Sequence, residues 1–85
     1  MLEKKNSRLK RPRHRMPRFI RTALLENNVM EAYRNRPPYQ RNDYLGWITR
    51  AKLEQTRQKR LAQMLRELAG GHRYMNMTYH PKTTS

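Results

Sequence analysis

The chain has 85 residues, with 20 Lys/Arg against 6 Asp/Glu, a formal net charge of +14 and a pI near 11.3; 35% of residues are hydrophobic and mean hydropathy is −1.22. That length bounds it to one domain, and the lack of cysteine excludes disulfides and thiolate metal sites. A core this small is most readily built from helices whose packing partners are close in sequence, and the positive balance directs attention to anionic partners.

The charge is uneven. Residues 1–21 hold nine Lys/Arg against one acid. Within them Met1–Met16 has little apolar content, no helical stripe and Pro12 in its middle, the composition of a disordered basic arm extended by self-repulsion. Pro17 suits the first position of a helix, where its missing N–H has no intrahelical partner to lose. From it Ile20, Ala23, Leu24 and Asn27 fall at i, i+3, i+4 and i+7, so a short helix is expected to end near Asn27. Asn28 and Glu31 have capping-box spacing, which predicts a second helix from Val29 to about Asn35 with Val29, Ala32 and Tyr33 inward. Arg36-Pro37-Pro38 ends it, because a residue before proline is pushed out of the α region.

Pro38 then opens the third helix, with Tyr44, Trp47, Ile48 and Ala51 in a stripe and Leu45 at its edge. Gly46 lies on the opposite face and costs about 1 kcal/mol of helix propensity relative to Ala, which predicts a close contact there. After a break at Ala51–Leu53, Leu61, Met64, Leu65 and Leu68 mark the fourth helix, stopped by Gly70-Gly71. Lys59, Gln63 and Arg66 fall on its far side. The tail, His72–Ser85, carries Tyr74, Met75, Met77 and Tyr79, too apolar for a solvated end and too sparse for a helix; it reads as an extended segment draped over the helices. The expected fold is therefore all-α: a small domain of about four helices over 17–71, with a disordered basic arm (1–16) and an extended tail (72–85).

The segment Tyr39-Gln-Arg-Asn-Asp-Tyr44, Trp47-Ile48, Ala51-Lys52 and Thr56-Arg57-Gln-Lys-Arg60-Leu61 resembles the bacteriocin-protection, YdeI-or-OmpD-associated family. In that family a Tyr-x-x-Trp-Ile helix is followed by an Ala-Lys turn and a Glu-Thr-Arg-x-x-Arg helix. The resemblance spans roughly residues 23–71. It departs at Leu53-Glu54-Gln55, where the family often has Arg-Pro-Glu, and many members carry a larger domain ahead of this module. The family's names imply stress or bacteriocin protection and association with an outer-membrane porin, and the resemblance brings no catalytic motif.

The residues themselves hold no constellation for catalysis. Ser7 and Ser85 lie near the ends, there is no thiol, and His14, His72 and His80 lack metal-ligand spacing. The acids read as surface partners of neighbouring bases: Glu54 with Arg57, Asp43 with Arg50. Arg57, near the apolar edge of its helix, is expected to bond carbonyls or a carboxylate across the helix interface. Tyr44 and Trp47 sit on the apolar stripe and read as core; Trp47, Leu61, Leu65 and Leu68 are expected to be buried together. No enzyme activity, cofactor, metal or small-molecule ligand is expected. No apolar run approaches the ~18–20 residues of a membrane span, and the basic N-terminus lacks the apolar segment of a secretory signal, which makes cytoplasmic residence the expectation.

Two functional readings remain. The first is a non-catalytic protein–protein or stress-associated accessory module with an unidentified protein partner, as the resemblance implies. The alternative is non-specific nucleic-acid binding by counterion release. The candidate polyanion-binding residues are Lys4, Lys5, Arg8, Lys10, Arg11, Arg13, Arg15 and Arg18 in and beside the arm, with Arg34, Arg36 and Arg41 around the Pro37-Pro38 turn. Tyr39, which projects away from the apolar stripe, is the candidate exposed aromatic.

Overall fold

The computed structural model describes residues 13–80; residues 1–12, which hold most of the expected arm, and residues 81–85 lie outside the described residues. Among the described residues the chain folds into four helices, α1 (Arg18–Glu26), α2 (Met30–Arg34), α3 (Pro38–Arg50) and α4 (Glu54–Gly70). A small hairpin, β1 (Arg73–Tyr74) and β2 (Met77–Thr78), follows them. Among the described residues no helix is long and apolar enough to cross a membrane.

The helix boundaries follow local chemistry. Pro17 is the extended residue just ahead of α1, and its carbonyl accepts the amides of Ile20 and Arg21. Asn28 does not cap α2 as its spacing with Glu31 predicts. It adopts a left-handed conformation (φ 57°) that closes the end of α1, and the α2 N-cap is Val29. Asn tolerates that region because its short polar side chain bonds locally. Pro38 is the first residue of α3. At the far end of α4, Gly71 (φ 82°) donates its N–H to the Glu67 carbonyl at 2.8 Å, the left-handed helix stop that glycine permits without a Cβ penalty.

Helix α4 is the hub against which the other three helices and β1 pack. The core draws Ile20 and Leu24 from α1, Val29 and Tyr33 from the α2 region, and Tyr44, Leu45 and Ile48 from α3. Leu61, Met64 and Leu68 of α4 complete it. The stripe is rotated slightly from the expected one. Leu45 is buried, whereas Trp47 and Leu65 are only partly buried at the edge of the core. Tyr44 occupies the centre instead, because Glu67 on α4 offers its hydroxyl an acceptor there.

Residues 13–16, expected in the solvated arm, are part of the packed structure. The His14 amide donates to Asn42 Oδ1 at 2.8 Å, and Met16 packs against the core. A Cβ built on Gly46 would lie 2.6 Å from His14 Nε2, so this glycine is the notch that receives the imidazole. The predicted close contact at Gly46 is therefore found, and its partner is the end of the arm.

The tail is extended and turns back on itself. Arg73 pairs with Thr78 and Tyr74 with Met77 across a two-residue turn, Met75-Asn76, in which both residues have positive φ (53° and 66°). That is the I′ geometry whose twist matches paired strands. It is uncommon for methionine, so something must hold it.

Candidate functional site

Glu67 holds that turn. Its carboxylate accepts the backbone amides of Met75 (2.8 Å) and Asn76 (2.7 Å), the Tyr44 hydroxyl (2.6 Å) and Gln63 Nε2 (3.0 Å). Burial alone would raise its pKa, but these donors more than reverse that, and the net displacement is below the usual carboxylate value. Tyr44 moves the other way, well above the ordinary phenol, first through burial and then through its hydrogen bond to Glu67 and the charge it faces. Burial likewise raises Tyr33, with the charge of Arg41 working against it.

Arg36 forms a second anchor. It is buried, donating Nη1 to Gln40 Oε1 (2.9 Å) and Nη2 to the carbonyls of Glu67 (3.1 Å) and Arg73 (2.9 Å). Its guanidinium also lies 4.7 Å from the centre of the Tyr79 ring. Arg36 therefore leaves the set of candidate polyanion-binding residues: its donors hold the α2–α3 turn, the end of α4 and the tail together. The fork of an Arg suits such convergent carbonyls better than a Lys would.

With the hairpin fixed this way, an open groove of about 760 Å³ forms along α3. Its floor is one stripe of that helix, Tyr39, Asn42, Asp43, Trp47 and Arg50. His14 forms one wall, and Tyr74, Met75 and Met77 form the other. Tyr39 is 52% exposed and Met77 56%, so the groove presents apolar surface to solvent. Tyr39 meets Tyr74 edge to face (6.0 Å, 83°), and Tyr74 meets the buried Tyr44 the same way (5.5 Å, 82°). The Tyr74 hydroxyl donates to Asp43 Oδ2 at 2.6 Å, tying the hairpin wall to the floor. Asp43 thus bonds Tyr74, where the spacing alone suggests Arg50. Behind Trp47, Arg60 lies 5.4 Å from the ring centre and donates to the Trp47 carbonyl at 2.7 Å.

The other candidates fall around this groove without converging on a single point. Arg13, Arg15, Arg18 and Arg34 are exposed, and Arg41 is half-buried. Lys4, Lys5, Arg8, Lys10 and Arg11 lie outside the described residues. Tyr39 is exposed as expected. Arg57 does not reach across the helix interface; it pairs within α4 with Glu54 at 3.0 Å. The arginine of α4 that does cross is Arg60. Glu67 and Gln40 are the important residues that surface-partner reasoning misses. Each sits inside an apolar arc, Glu67 between Met64 and Leu68 and Gln40 one turn before Tyr44, and a polar side chain in that position signals a buried network.

No group of three or more His, Cys, Asp or Glu among the described residues is arranged to hold a metal ion. No curated protein and no solved structure matches the chain. The family model for bacteriocin-protection, YdeI or OmpD-associated proteins matches residues 13–71, and the chain belongs to that family.

Proposed function

We propose that this member of the YdeI- or OmpD-associated family is a non-catalytic cytoplasmic accessory module that docks a protein partner in the groove along α3. The observation carrying this reading is the groove itself: half-exposed Tyr39 and Met77 beside Trp47, on a floor and walls that are individually anchored. Exposed aromatic and methionine surface in a preformed cleft is the composition of protein-binding sites. The non-catalytic part of the reading is supported by how two buried polar groups are used. The Glu67 carboxylate is taken up by four donors and the Arg36 guanidinium by three acceptors, all of them structural.

A second reading is favoured by one observation: Arg13, Arg15, Arg18 and Arg21 are all exposed at the N-terminal end of the described structure. Non-specific nucleic-acid binding there would be nearly independent of base sequence. Neutralising about six phosphates would give a log–log salt slope near −5 on duplex DNA.

Affinity capture with the full chain, with and without nuclease, separates the two readings when run beside a Tyr39→Ser/Met77→Ser variant. Docking predicts captured protein that survives nuclease and is lost with the groove variant. Capture abolished by nuclease and indifferent to the groove would overturn docking and leave nucleic-acid binding. A cytosolic fraction enriched in the chain is expected on cell fractionation.

A further inference from the structure

The groove's chemistry narrows what it docks, granted the docking reading above. We propose that it takes an acidic peptide segment that inserts an apolar side chain between Trp47 and the methionines of the hairpin. The anchor part of this rests on the wall. Met75 and Met77 are unbranched, polarizable side chains that adapt to an inserted aliphatic or aromatic group. The rings beside them are not laid out as a stack for nucleobases. Tyr39 and Tyr74 stand edge to face at 83°, and Arg60 already lies over the Trp47 ring.

The acidic part rests on charge. Arg50 lines the groove and is exposed, and residues 13–80 around it carry fourteen Lys/Arg against five Asp/Glu. His14 is held in the Gly46 notch, and its chain neighbours Arg13 and Arg15 are exposed. The groove's own carboxylate, Asp43, accepts the Tyr74 hydroxyl. Carboxylates on an incoming segment would meet Arg50 and the positive excess of the surrounding surface while the apolar anchor enters the floor, a division that gives rate and specificity to the charges and residence to the anchor.

Trp47 is the only tryptophan of the chain and lines the groove, so its emission reports occupancy directly. The experiment titrates the full chain with four probes: a peptide of about twelve residues rich in Asp/Glu with a central Leu-Phe pair, the same peptide with Ser-Ser at the centre, the same with its acids replaced by Gln, and a single-stranded oligothymidylate. The proposal expects the first peptide to shift Trp47 emission and bind at least about tenfold more tightly than the second and third. Arg50→Glu and Met77→Ser, both at exposed positions, should each weaken it about tenfold with the circular dichroism spectrum unchanged. Equal binding of the Ser-Ser peptide would overturn the anchor, leaving only polyelectrolyte attraction. Equal binding of the Gln peptide would overturn the acidic class while the docking reading stood. Binding of the oligonucleotide alone would overturn both. An emission shift produced by raising the protein concentration with no probe would assign the groove to a second copy of the chain and overturn the proposal, as would silence with all four probes.

Discussion

At Glu67 one side chain decides where the tail goes. Two of its four donors are the amides of a turn whose Met75 sits in a backbone region costing of order 1–2 kcal/mol for an ordinary residue. The carboxylate compensates for that strain, and through Met75 it sets the wall of the groove. Because folding lowers its pKa, Glu67 contributes stability that is fully present above the unfolded value of about 4.3. That contribution is lost as pH falls through the lowered folded value. The Met75 and Asn76 amides should therefore lose exchange protection on acidification, before the helices melt. Glu67→Gln replaces an acceptor by a group that turns N–H donors toward backbone N–H, at a cost of about 1–3 kcal/mol at neutral pH. Urea denaturation should show that loss together with a flattened acid limb. An unchanged midpoint in the variant would mean that the turn is held by something else.

Between elements, the contact that most redefines the domain is His14 on Gly46, since it moves the N-terminal boundary of the packed structure into the expected arm. Ala at position 46 would gain about 1 kcal/mol of helix propensity but place its Cβ 2.6 Å from His14 Nε2, so the ring must leave. In a His14→Ala background the same change should stabilise by up to about 1 kcal/mol, whereas in the native background it should be neutral or harmful. A coupling of at least ~0.5 kcal/mol is expected from the double-mutant cycle, read by thermal or urea unfolding. Identical effects in both backgrounds would show that the imidazole does not pack there. The helices on either side of this contact were legible because 3.6-residue stripes, Pro17, Pro37-Pro38 and Gly71 are local signals. The hairpin was legible only as an extended tail: strands of two residues have no alternation to detect, and Met75-Asn76 lacks the glycine that usually marks such a turn. The groove was half legible. Tyr39 projects off the stripe and could be named, but the methionine wall depends on Glu67, whose role requires knowing which helix face meets the tail.

Over the whole molecule, charge is unbalanced even without the termini. Residues 13–80 contain fourteen Lys/Arg and five Asp/Glu, a net +9. Two of those acids accept hydrogen bonds from tyrosine hydroxyls, Glu67 from Tyr44 and Asp43 from Tyr74. The Glu54–Arg57 pair joins opposite charges at 3.0 Å on the surface of α4, an arrangement worth little in water. Self-repulsion should therefore subtract from stability at low ionic strength. Raising salt from about 10 mM to about 150 mM shortens the screening length from roughly 30 Å to roughly 8 Å. If relief of repulsion amounts to about 1 kcal/mol, Tm should rise by about 4–8 °C, since that is the shift such an energy produces in a domain of this size. The rise should level off once screening is complete, unlike the continuing stabilisation by strongly excluded salts such as sulfate. Arg13→Gln/Arg15→Gln should reduce the salt response, and because both side chains are exposed the variant should melt no lower than the native chain at low salt. A Tm indifferent to sodium chloride would mean that the excess charge is spread too widely to matter to the fold, and would leave attraction of anionic partners as its one physical consequence.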